Sequence, residues 1–231
     1  MAQIRPLRFS LRQLLLSVAV LGVVLALWRA WPTISDGLWP PTDAAGFHDR
    51  AERRAHRGEL KGAISDLDEA IKLEPRSDRH YRERGDDYFS QGETAKAIAD
   101  YATAIRLSHG EPASVYALND YATALATIGR YRDAIKVCTE AVQLKPAITV
   151  EQAVAFENRG ASLMESGELD NAIRDLSQAL KLAPDEAGFY FNRGLAYFRK
   201  GERGLADGDL ARARELDRRF NGSNYAGQRR E

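Results

Sequence analysis

The sequence predicts an all-α solenoid of five helix-turn-helix hairpins preceded by a single transmembrane helix, and three observations carry that reading. Gly58, Gly92, Gly129, Gly167 and Gly201 lie 34, 37, 38 and 34 residues apart. The same four spacings recur in a small-residue column (Ala51, Gly85, Ala122, Gly160, Gly194), two alanine columns (from Ala63 to Ala206 and from Ala70 to Ala213) and a leucine column (from Leu73 to Leu216). Ahead of these columns, a basic start runs into the apolar stretch Leu14–Trp28.

Residues 1–12 carry Arg5, Arg8 and Arg12 and no acid, and the run LLLSVAVLGVVLALW follows. Extended from Leu11 to Trp31 it would span about 31 Å as a helix, enough for a hydrocarbon core of about 30 Å if Arg12 and Arg29 snorkel. The span is placed at 13–31, with Trp28 and Trp31 at one interface. A cleaved signal peptide competes with this reading, but Ala30 has bulky Trp28 two places upstream, so an uncleaved signal anchor is preferred. Three arginines precede the span and only Arg29 follows, which puts the N-terminus in the cytoplasm and the rest in a periplasm or its equivalent. Residues 32–43, with three prolines and Gly37, form an extended linker, and Thr42 or Asp43 caps the next helix.

Residues 44–217 divide into hairpins at 44–77, 78–111, 115–148, 153–186 and 187–217, with the inserted residues falling between hairpins near 112–114 and 149–152. In the fourth, Gly160 and Leu163 lie before the turn at Gly167, and Ala172, Leu176, Ala179 and Leu182 after it. Small residues stand where helices cross closely, and large ones stand on the faces that meet. Such a unit cannot bury its apolar face alone and needs stacked neighbours. The first hairpin is irregular, with Arg54 where the others have Tyr88, Leu125, Leu163 and Tyr197, as befits a terminal cap. In the last helix Gly204 and Gly208 each cost about 1 kcal/mol relative to alanine, so fraying is expected there. The tail 218–231 offers Phe220 and Tyr225 to cover the exposed end.

The recurring order (small residue, apolar or aromatic, turn glycine, alanine, apolar or aromatic, alanine, then Pro75, Pro146 or Pro184) resembles the tetratricopeptide repeat family over about 44–217. His109 and Arg218 depart from it at the proline position. The resemblance implies a right-handed superhelix whose concave groove is lined by the first helix of each hairpin. Its groove positions fall on His48, Arg79, Arg82, Asn119, Met164, Phe191, Leu195 and Phe198, among others, and grade from charged to apolar along the chain. The apolar end suits an amphipathic helix or peptide anchor, unless those residues pack between repeats instead. The carboxylate clamp of chaperone-tail binders is disfavoured, because Asn119/Thr123 and Gly188/Asn192 do not match its pattern around Asn158.

Composition excludes more than it assigns. Lys plus Arg equals Asp plus Glu at 33 each, which argues against a nucleic-acid binder. The single cysteine, Cys138, reads as a small buried hydrophobe. His48 and His56 share a helix face without a third metal ligand nearby, and Arg79, Arg82 and His80 are neutralised by Glu83, Asp86 and Asp87. Asn221-Gly222-Ser223 is a weak glycosylation match. No phosphate loop, nucleophile elbow or metal cluster is legible, so no catalytic residue, cofactor, metal, small-molecule substrate or nucleic-acid partner is expected. The expected function is a membrane-anchored scaffold that binds partner peptides or helices, with a chaperone-like envelope assembly factor as the alternative.

Overall fold

The computed structural model describes residues 41–108, 114–144 and 149–218, together with Val20, Leu21, Val23 and Val24. Those four N-terminal residues are helical and exposed. The rest of the expected 13–31 span lies outside the described residues, as do most of the 32–43 linker, Pro146, Phe220, Asn221 and Tyr225. Among the described residues no helix is long and apolar enough to cross a membrane.

Ten helices and no strand are found among the described residues beyond position 41. They are α1 (Ala44–His56), α2 (Leu60–Leu73), α3 (Asp78–Ser90), α4 (Thr94–Ser108), α5 (Ser114–Thr127), α6 (Tyr131–Gln143), α7 (Thr149–Glu165), α8 (Leu169–Leu182), α9 (Ala187–Lys200) and α10 (Arg203–Leu216). Each odd-numbered helix pairs with the even one after it, and the resulting hairpin packs on the next. Asp43 starts the stack, its carboxylate accepting from the Gly46 amide at 2.8 Å. Residues 150–152 belong to α7, which is 17 residues long. The second insertion, at 149–152, therefore adds a helical turn where a segment between hairpins was expected, because its Thr-Val-Glu-Gln sequence has no breaker.

The turns close as the glycine spacing predicts. All five turn glycines have positive φ, from 75° to 89°, a region that costs a side chain steric strain. At Gly167 the glycine amide donates to Met164 O at 3.1 Å and the Glu168 amide to Leu163 O at 2.9 Å, which satisfies carbonyls at the end of α7.

The first alanine column, Ala63, Ala97, Ala134, Ala172 and Ala206, is 0% exposed throughout. A column of larger residues at the same spacing, Leu67, Tyr101, Cys138, Leu176 and Leu210, is equally buried and forms the heart of each hairpin. These side chains press on the opposite helix: a methyl group on Gly160 would stand 2.8 Å from Leu176 Cγ. The leucines expected to close each second helix contribute less, and Leu73 is 53% exposed.

A second set of bonds crosses each hairpin. Arg50 pairs with Asp66, Arg84 with Asp100, Arg159 with Asp175 and Arg193 with Asp209, always 16 residues apart and always through two N–H···O contacts between 2.6 and 2.9 Å. An aromatic ring three residues before each arginine lies under its guanidinium: Phe47, Tyr81, Phe156 and Tyr190, at 5.4–5.8 Å. The third hairpin replaces the trio with Leu118, Tyr121 and Val137, of which Tyr121 and Val137 pack on its apolar cluster. Cys138 sits in that cluster, and burial pushes its thiol up to about 12.

Candidate functional site

The odd-numbered helices lie along one face and touch from hairpin to hairpin through polar side chains. His48 Nδ1 is 2.9 Å from Glu83 Oε2, and Arg82 Nη1 is 3.8 Å from Asp120. Asn119 Nδ2 donates to Glu151 O at 3.1 Å, Asn158 Nδ2 to Asn119 O at 3.4 Å, and Asn192 Nδ2 to the Glu157 carboxylate. Arg199 Nη2 meets Glu165 at 2.8 Å. The position just before the arginine column reads Asp49, Glu83, Asp120, Asn158 and Asn192, so this inner face grades from acid to amide.

The expected groove residues divide into two groups. Arg79 and Arg82 lie on the face and bind acids of their own helix, Arg79 Nε to Glu83 at 2.9 Å and Arg82 Nη1 to Asp86 at 3.2 Å. His48 and Asn119 are buried between helices instead, 5% and 6% exposed. The imidazole of His48 stacks on His80 with ring centroids 5.4 Å apart. Met164 and Leu195, 6% and 9% exposed, belong to one core cluster with Leu163, Leu176 and Leu210, and Phe191 and Phe198 pack against it partly buried. The apolar end of the predicted groove is thus largely the seam between the fourth and fifth hairpins. Large apolar side chains in facing positions of stacked units bury each other before they meet a partner.

Electrostatics concentrate at the other end. Burial raises Asp86 above the ordinary carboxylate range, although Tyr101 Oη donates to it at 2.8 Å. Burial, with Asp86 and Glu83 nearby, pushes Asp87 up to about 6. Asp120 is pushed to about 7 by burial and then by Asp86. Burial also raises Glu157, against the donated Asn192 amide. His80 is lowered by burial and then by His48. The arginines expected to cancel these acids cancel only some of them, because one guanidinium, Arg82, serves Glu83, Asp86 and Asp120 together. His48 and His56 are not joined; His48 is grouped with Asp49 and Glu52, whose ligand atoms lie within 4.8 Å of one another. Asp49 and Glu52 are exposed in the middle of α1, at positions any solvated acid could occupy.

Two features escaped sequence reasoning. The Arg–Asp pairs were visible as two columns 16 residues apart, one per helix of a hairpin. The buried carboxylate of Asp87 was visible against Ala124, Ser162 and Ala196, which hold its position in the later hairpins and are 0%, 2% and 0% exposed.

Profiles described as tetratricopeptide repeat match residues 48–112 and 82–147, and one described as TPR repeat matches 160–201. Serine/threonine-protein phosphatase 5 of Rattus norvegicus is 38% identical over 72 residues, 31% of this chain and 14% of that protein. The TPR repeat-containing thioredoxin TTL4 of Arabidopsis thaliana is 36% identical over 106 residues, 46% of this chain and 14% of that protein. The chain thus spans about a seventh of the length of these relatives. Among solved structures, MamA from Desulfovibrio magneticus RS-1 superposes with a TM-score of 0.65 at 21% identity, over 77% of this chain and 97% of its own. YrrB, described as a TPR protein with an unusual peptide-binding site, does so at 0.60 and 21%, over 80% and 92%. At these identities the likeness is one of fold.

Proposed function

Because the chain carries tetratricopeptide repeats, we propose that it is a protein-interaction scaffold whose inner face receives a segment of a partner protein. One observation carries the reading. The Arg–Asp pairs satisfy the charges that hold four of the hairpins, whereas the inner face keeps a polar group that the fold does not use. The Asp87 carboxylate, which lines a pocket between the first two hairpins, accepts no hydrogen bond and no ion pair among the described residues. Leaving such a group unmet costs on the order of 1–3 kcal/mol, which a bound segment would recover. The peptide-binding site named for YrrB supports the same use of the fold.

Membrane attachment belongs to this proposal. Residues 13–31 anchor the scaffold, with the N-terminus in the cytoplasm and the repeats on the far side, on the strength of the apolar run and its arginine bias. Reporter fusions after Glu231, one active only outside the cytoplasm and one only inside, test the topology; activity of the inside reporter alone overturns it.

The binding face is tested on the full chain with peptides selected from a random display library. A photo-crosslinker replaces exposed Tyr116 or Thr123 on α5, or exposed Lys136 on α6 as the control. Capture at 116 and 123 is expected, and capture confined to 136 would sink the inner-face reading. A single saturable class of peptides separates a scaffold from a holdase, which would bind many apolar sequences weakly.

A further inference from the structure

The first two hairpins form a half-open cavity of about 290 Å³ between α1, α2 and α3. Glu52, His56, Arg82, Glu83, Asp86 and Asp87 supply its polar lining, and Ala51, Ala55 and Leu67 its apolar wall. Four carboxylates therefore meet one guanidinium and one imidazole. Three of the four have partners. Glu83 is met by Arg79 and His48, each at 2.9 Å. Asp86 is met by Arg82 and Tyr101, and exposed Glu52 lies 3.9 Å from His56.

Asp87 is different. It is 7% exposed, lines the cavity, and has no hydrogen bond or ion pair among the described residues. The fold does not need a carboxylate there, since Ala124, Ser162 and Ala196 fill the equivalent places. A buried, unpaired acid is expensive, and a cation entering from outside would remove the expense.

We propose that this cavity is a specificity pocket for an arginine side chain of the partner segment, with Asp87 as its counter-ion and Asp86 beside it. The inference rests on the inner-face reading above and names what one part of that face selects. Arginine fits better than lysine for two reasons. Its guanidinium is more weakly hydrated and can bond two carboxylate oxygens at once. Its methylene stem can lie on Ala51, Ala55 and Leu67 while the charged end reaches the acids. Binding requires the charged form of Asp87, so affinity falls as pH drops through about 6. The other charged or titratable groups facing the site are Glu52 and His56 from α1, Arg82, Glu83 and Asp86 on α3, Tyr101 from α4 and Asp120 from α5.

The probe is the capped pentapeptide Ala-Ala-Arg-Ala-Ala, titrated into the full chain carrying ¹³C-labelled carboxyl groups. Its twins carry lysine, or citrulline, which keeps the shape and removes the charge. The arginine peptide should saturate, lower the Asp87 titration midpoint by about one unit, and bind at least tenfold more tightly than citrulline and measurably more tightly than lysine. Asp87→Asn should abolish that tenfold preference while raising the thermal midpoint of the free chain. That rise separates a binding residue from a structural one, whose loss would lower the midpoint. Equal binding of the citrulline or lysine peptide, no saturation, or an unchanged preference in Asp87→Asn overturns the pocket. Crosslinking at Tyr116 and Thr123 by library peptides would still stand in that event, so the two readings fail separately.

Discussion

Arg159 and Asp175 face each other across the fourth hairpin, Nε donating to Oδ2 at 2.6 Å and Nη2 to Oδ1 at 2.9 Å, with the Phe156 ring 5.4 Å beneath the guanidinium. Three other hairpins repeat the arrangement and the third replaces it with apolar packing. The pair therefore specifies one of two interchangeable ways to join the helices. Asp175→Ala should destabilise the chain by about 1–3 kcal/mol, since it strands a partly buried guanidinium. The triple change Phe156→Leu, Arg159→Tyr, Asp175→Val, borrowed from the third hairpin, should restore most of that loss. Urea unfolding of both variants measures the difference; a triple variant as weak as the single one refutes interchangeability.

Gly160→Ala should cost about 1–3 kcal/mol. The new methyl group would stand 2.8 Å from Leu176 Cγ and 3.2 Å from Ala172 O, and the latter is backbone that cannot step aside. Thermal unfolding reads this directly.

At Gly204 and Gly208 the same substitution has the opposite sign. Both lie within α10, and a methyl group at either meets nothing within 4 Å. Each change to alanine should stabilise by about 0.5–1 kcal/mol through helix propensity alone. A raised thermal midpoint for the double variant checks it, and hydrogen exchange should slow first in α10.

Asp87 and Asp120 should make stability fall as pH rises. Their carboxyls lie at about 6 and about 7 in the folded chain, above the ordinary 3.8. A raised acid binds its proton more tightly folded than unfolded, so its contribution is greatest below pH 4 and is lost as pH climbs toward 6–7. Unfolding free energy between pH 4.5 and 7.5 should slope down by on the order of 2 kcal/mol from Asp87, and Asp87→Asn should remove that part of the slope.

Cys138 should resist thiol reagents in the folded chain. It is 0% exposed and its thiol is pushed up to about 12, so little thiolate forms at neutral pH. Reaction with a disulfide reagent should follow the unfolding rate, and a fast burst before unfolding would contradict the burial.

The hairpins were legible because their demands are local. A positive φ at Gly167, or a close crossing at Gly160 and Ala172, leaves few residue choices, and those choices recur at each repeat. The site was less legible. Met164 and Leu195 occupy inner-helix positions, yet whether an apolar side chain there meets a partner or a neighbouring hairpin depends on how closely the units stack. His48 likewise moved from an expected solvated groove to a buried stack on His80, a contact 32 positions away.

What the sequence determined by itself is the repeat: its length, its turns, its small-residue crossings and the two helices of each unit, because each is a short-range steric requirement. Only the tertiary structure decided which charges are spent and which are spare. Asp66 and Asp87 are both acids on hairpin helices, but Asp66 faces Arg50 and Arg54 across its hairpin while Asp87 faces the cavity beside Asp86. Pairing depends on distances of a few ångströms between helices, and desolvation turns those distances into energy.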